Sequence, residues 1–84
     1  MSRLTDQPIE VIGPLLQPNG VPSQFKWRGQ RFLVRELLDM WTDTGSWWDG
    51  EAEATFFRLA VDEGTIVEIM RDSRGSWRLY RVYD

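Results

Sequence analysis

The 84-residue sequence contains no cysteine and no histidine, and of its ten basic residues only Lys26 is a lysine. Without cysteine there is neither a disulfide framework nor a thiolate metal site. Without histidine the commonest general base and metal ligand is gone, which excludes Ser-His-Asp and Cys-His enzymes and zinc fingers. No apolar run approaches the roughly 20 residues of a membrane-spanning helix, and no signal-peptide pattern opens the chain. Glycine-rich phosphate loops and dinucleotide fingerprints are missing too, so no cofactor is expected. What remains is one small globular domain, expected to be soluble and cytoplasmic, with no membrane partner.

Charge and aromatic content are what the chain does have. Thirteen acids against ten bases give a net charge of -3, so bulk charge does not mark a nucleic-acid binder. The bases are nonetheless almost all Arg, which stacks on aromatic rings and forks onto carboxylate or phosphate better than Lys does. Codon bias toward GC would produce the same ratio without any function. Five Trp, two Tyr and four Phe are a heavy aromatic load for this length. Most belong in a core, since each buries about 150–250 Å².

Residues 1–22 hold all four prolines and one short apolar stretch, Ile9-Glu10-Val11-Ile12. Proline cannot donate to an interior ladder, so this arm reads as an edge strand around 8–12 or as a loose tail, with a turn at Pro18-Asn19-Gly20. From Ser23 the pattern changes to a small β domain over 23–84. Phe25-Lys26-Trp27 and Phe32-Leu33-Val34 flank a tight turn in which Gly29 can take positive φ. Phe32 and Val34 then share one face, and Arg31, Leu33 and Arg35 the other. Glu36 to Trp41 break the alternation, as a strand continued past a bulge or as a turn of helix. Thr42 to Gly50 reads as a loop. Three further runs follow: Thr55 to Val61, Thr65 to Arg71 and Trp77 to Tyr83. In the last, Trp77, Leu79 and Tyr83 alternate with Arg78, Tyr80 and Val82. Short turns at Asp62-Glu63-Gly64 and Asp72-Ser73-Arg74-Gly75 separate these runs. The expected fold is all-β, an antiparallel meander of five to six strands curling into a small SH3-like barrel or a strongly coiled sheet.

The acids closest to one another are Asp39 with Asp43 and Asp49 with Glu51. A metal-dependent reaction would need Asp43, Asp49 and Glu51 to converge, but acids in a polar loop are ordinarily just solvated. The sequence is therefore read as non-enzymatic, with no metal. Basic and aromatic residues interleave as single-strand binding requires, and Trp27, Arg28, Arg31, Arg35, Arg78 and Tyr80 form the candidate contact face for single-stranded DNA or an acidic partner. That face exists only if the first hairpin and the last strand are neighbours. Equally, these Arg side chains could lie over rings or pair with Glu36, Glu53 and Glu68 across strands. Trp47 and Trp48, between Gly45 and Gly50, are candidate anchors for a protein interface. An uncovered edge at Ile9–Ile12 could take a partner strand or a second copy, giving a homodimer.

Phe25-x-Trp27-Arg28-Gly29, Val34-Arg35-Glu36, Trp41, Trp47-Trp48-Asp49-Gly50-Glu51 and Trp77-Arg78-Leu79-Tyr80-Arg81-Val82-Tyr83-Asp84 together resemble an uncharacterised bacterial small-domain family. Its members are short stand-alone proteins or tails on the Y-family-polymerase-like subunit of a mutagenic DNA-repair complex. The resemblance spans about residues 22–84. It implies a setting in DNA repair or replication, with single-stranded DNA or a polymerase-type protein as partner. No catalytic residue is implied.

Overall fold

Seven strands make up one antiparallel sheet in a computed structural model that describes residues 2–43 and 54–83. They are β1 (Ser2–Pro8), β2 (Glu10–Leu16), β3 (Val21–Trp27), β4 (Gln30–Asp43), β5 (Ala54–Val61), β6 (Ile66–Arg71) and β7 (Trp77–Tyr83). A 3-10 turn, Asp62–Gly64, joins β5 to β6. The all-β expectation holds, with seven strands in place of five or six.

The extra strands come from the N-terminal stretch. The strand order is β1-β7-β6-β5-β4-β3-β2, so β1 and β2 are the two edges. Pro8 ends β1, and Pro14 falls where the β2–β3 register shifts between Ile12 and Leu15. Both prolines thus occupy edge positions where no ladder N–H is required. Only Ile9 separates β1 from β2 in sequence, so the sheet must curl until its two edges meet there. Ile9 marks that corner, donating its N–H to the Trp77 carbonyl and packing on the core. The result is a curled half-barrel.

The 14-residue β4 supplies the second bend. Gln30–Leu33 pair with β3, and Val34–Asp43 with β5. Register shifts between Val34 and Glu36 and between Leu37 and Asp39 are bulges, which sharpen the local twist and let one strand serve both halves. Glu36 to Trp41 are therefore strand past a bulge, not helix.

Alternation along the strands sends Phe25, Phe57, Leu59, Ile69 and Leu79 into the concave side, all fully buried, with Val21, Val61, Val67 and Val82. Each large side chain contributes about 1.5–3 kcal/mol by leaving water. Phe32 stacks on Phe25 at 5.2 Å between centroids, and Trp77 leans on Phe57 at 5.6 Å.

One register detail overturns the expected faces of the last strand. Ile69 pairs with Leu79, but Glu68 pairs with Arg81, so Tyr80 is an extra, bulged residue. Beyond it the parity flips. Val82 turns into the core and Tyr83 turns out, opposite to strict alternation. A strict period of two would have buried the Tyr83 hydroxyl and wetted Val82, and the bulge removes both costs.

Candidate functional site

Two stretches of the sheet carry the charged and aromatic residues. The first is the β3–β4 hairpin. Arg28 and Gly29 form its two-residue turn with φ of 54° and 79°, the left-handed pair that a type I′ turn demands. Glycine takes this conformation freely, but arginine does not. The Arg28 guanidinium lies 4.8 Å from the Trp27 ring centroid, and the indole N–H and Arg28 Nε both donate to Gln7 Oε1, at 2.9 and 3.2 Å. Just behind the turn Lys26 sits directly opposite Arg31. Lys26, Arg31, Leu33 and Arg35 are exposed, while Phe32 and Val34 face the core side, as the alternation predicts. Glu10 faces Lys26 from β2, but among the described side chains no ion pair reaches Lys26, Arg28 or Arg31.

The second stretch is the outer face of β4–β7. Backbone pairing sets Asp39, Arg58, Glu68 and Arg81 in one row and Trp41, Phe56 and Met70 in the next. Glu68 is only 3% exposed, and its Oε2 accepts from Arg58 Nε at 3.0 Å, with Arg58 Nη2 at 2.9 Å, and from the Tyr83 hydroxyl at 2.7 Å. The Glu68 hydrogen bond raises the Arg58 pKa above the ordinary guanidinium value, against desolvation. Arg81 is likewise raised, chiefly by the Tyr83 hydroxyl. Its guanidinium lies 5.7 Å from the Tyr80 ring centroid and 5.9 Å from that of Tyr83. Its Nε is the one buried side-chain nitrogen or oxygen without a hydrogen-bond partner among the described residues. Trp41 stacks flat on Phe56 at 5.4 Å, and Tyr80 stands edge-on to the same ring at 5.2 Å. The rings and both guanidiniums line an open depression of about 360 Å³.

The candidate face read from sequence is thus divided. β5 and β6 lie between β4 and β7, so the first hairpin and last strand are not hydrogen-bonded neighbours. Trp27, Arg28, Arg31 and Arg35 stay together on the hairpin. Tyr80 belongs to the β4–β7 face. Arg78 is engaged in structure: its Nε donates to Asp6 Oδ1 and its Nη2 to the Asp6 carbonyl, both at 2.8 Å, fastening β1 to β7. Asp6 accepts this role at a positive φ of 48°, inside the β1 bulge between Leu4 and Gln7. Arg58 pairs with Glu68 across strands, the structural alternative to a binding role. Trp47, Trp48, Asp49 and Glu51 lie outside the described residues, as does the side chain of Asp43. The face read from sequence omits Glu68 and Tyr83. The signal that could have found them is the mismatch in the last run, a tyrosine on the apolar phase and a valine on the wet one.

Among the described residues no group of three or more acids could hold a metal ion, and no helix is long and apolar enough to cross a membrane. Over residues 1–84 the sequence matches the family described as Domain of unknown function (DUF6504). The chain belongs to this family. The match includes residues 1–22, which the motif resemblance left outside, in keeping with the pairing of β1 and β2 into the common sheet. No curated protein and no solved structure matches the DUF6504 chain.

Proposed function

We propose that this DUF6504 domain is a non-catalytic interaction module whose β3–β4 hairpin contacts single-stranded DNA, in the setting of DNA repair or replication that the motif resemblance implies. The observation that carries the reading is the Lys26–Arg31 pair. Like charges directly opposite on adjacent strands are destabilising, and both heads are held in water at the end of a rigid hairpin. Arg28 adds a second local cost, because a side chain other than Gly or Asn at positive φ is strained. A folded surface that keeps Lys26 and Arg31 opposed at such a cost is suited to an anion that bridges them.

Trp27 leans on Phe32 on the core side and carries Arg28 over its ring, so the exposed Arg28 guanidinium is the planar group a base meets, and Lys26, Arg31 and Arg35 track the phosphates. The net charge of -3 gives little long-range attraction, so affinity comes from these short contacts. The polymerase-type protein of the motif resemblance is the assembly in which such DNA would be presented.

The test is fluorescence anisotropy of a labelled single-stranded oligonucleotide at low and physiological salt. For single strands log K falls with log salt at about 0.7 per phosphate neutralised. Lys26→Gln with Arg31→Gln should reduce that slope by about 1.4, two phosphates at about 0.7 apiece. An absence of binding at low salt removes DNA. Displacement by oligoglutamate at matched charge would give the hairpin to an acidic protein segment.

A further inference from the structure

We infer that the outer face of β4–β7 is a second, separate binding site, for a protein segment that presents an aromatic side chain beside one carboxylate. This does not rest on DNA binding at the hairpin. The row Asp39–Arg58–Glu68–Arg81 alternates in sign across four strands. Its next position, on β1, is Leu4, which carries no charge. Among the described residues the row therefore ends on a cation. The contacts to Glu68 come from Arg58 and Tyr83, at Oε2, and none of its described hydrogen bonds or ion pairs goes to Arg81. Arg81 is nonetheless held in place, its guanidinium lying over two tyrosine rings and its Nε covered without an acceptor. A cation fixed by its own protein loses little freedom when a ligand arrives, and a planar guanidinium forks onto a carboxylate.

The charge count selects the occupant. Asp39, Arg58, Glu68 and Arg81 sum to zero, so the face draws no polyanion, unlike the hairpin. A single negative charge continues the alternation at Arg81. A phosphate dianion would add repulsion from the buried Glu68 carboxylate. The depression, at about 360 Å³, lies at the small end of ligand sites, large enough for a side chain and its neighbour. Trp41 and Tyr80 wall it, so a flat ring gains edge or offset contacts there. An aromatic residue adjoining an acid, or closing a chain with its own carboxylate, meets both conditions.

Arginine Nε–Hε and backbone amide correlations in a ¹⁵N-labelled sample of the full chain read this site directly. N-acetyl-tryptophan is the probe. It should shift the Arg81 Nε–Hε signal and the Tyr80 amide saturably, leaving Lys26 and Arg31 unmoved. N-acetyl-tryptophanamide, with the same ring and no charge, should bind at least tenfold more weakly, and Arg81→Gln should erase that tenfold preference. Equal binding of the amide, or no saturable shift at Arg81, would overturn the proposal. So would tighter binding of the dinucleotide thymidylyl-thymidine, which would hand this face to nucleic acid. Oligonucleotide binding at the hairpin moves Lys26 and Arg31 instead, so the two sites succeed or fail independently.

Discussion

On the outer face of β5–β7, Arg58 lies opposite Glu68 and receives a carboxylate, whereas at the hairpin Lys26 lies opposite Arg31 and receives another cation. Both stretches set guanidiniums beside aromatic rings, the Trp27 indole at the hairpin and Trp41, Tyr80 and Tyr83 on the other face. Their cross-strand neighbours separate them: Asp39 and Glu68 flank Arg58, whereas Lys26 has Glu10 on one side and Arg31 on the other. Arg58, which reaches the Glu68 carboxylate across the ladder, becomes part of the fold, its charge neutralised. Where a base falls opposite, the charge stays available and the pair costs stability. An Arg-aromatic pattern therefore says nothing about binding until the residue across the ladder is known.

The contrast is broken most severely at Glu68. This carboxylate is almost fully buried and accepts from both Arg58 and Tyr83, so Glu68→Gln leaves the guanidinium and the phenol hydroxyl without a charged acceptor. Removing one partner of a buried pair costs about 3–5 kcal/mol, and the 39% exposure of the Arg58 side chain reduces that to about 2–3 kcal/mol. Thermal melting should show the midpoint falling by about 10–20 °C. A fall of only a degree or two would make this face no more structural than the hairpin.

Within the β4–β7 face, Arg58 and Arg81 should separate next. Arg58→Gln strands the buried Glu68 with Tyr83 alone, so the urea midpoint should drop clearly, though by less than Glu68→Gln lowers it. Arg81→Gln should lower that midpoint less than Arg58→Gln does, because Arg81 meets the Glu68 network only through the Tyr83 hydroxyl. Equal drops would mean that Arg81 belongs to the same structural network and is not held for a ligand.

Much of this architecture is legible in the sequence. The Arg28-Gly29 turn, the alternation that buries Phe57 and Leu59 and the Asp72 turn all follow from local chemistry. In that last turn Asp72 Oδ1 accepts from the Arg74 and Ser76 amides, both at 2.9 Å. Strand order is another matter, because it depends on which distant segments pair. Nothing local says that residues 2–16 close both edges, or that β5 and β6 intervene between the hairpin and β7. The bulge at Tyr80 escapes a period-two reading for the same reason: only its partner strand reveals the extra residue. Arg78 shows the consequence. Alternation assigns it to the candidate face, yet Asp6, 72 residues away in sequence, claims it.

At the hairpin tip the expected change has the opposite sign. Arg28→Asn puts the side-chain-bearing residue that best tolerates left-handed φ before Gly29, the pairing that type I′ turns favour. Relief of that strain should stabilise the chain by about 0.5–1 kcal/mol, seen as a higher urea midpoint at unchanged m-value. Loss of the guanidinium should at the same time weaken single-strand binding. A variant that is both more stable and still fully binding would show that Arg28 is a tolerated accident of the turn.

The smallest effect decides most about the hairpin. Arg31→Thr removes the like-charge opposition to Lys26 and introduces a β-branched residue at an exposed strand position, so stability should rise by about 0.2–0.5 kcal/mol. The gain should shrink as salt is added, because salt screens the repulsion that the substitution removes, with a Debye length of about 8 Å at physiological ionic strength. Single-strand affinity should fall together with its salt slope, by about 0.7 for the one phosphate left without its cation. Stability gained while binding weakens is the signature of a residue kept for function at the expense of the fold. Were Arg31→Thr instead to lose stability, Arg31 would have an acceptor in the folded chain. The hairpin would then belong with the β5–β7 face as structure, and the DNA reading would lose its carrying observation.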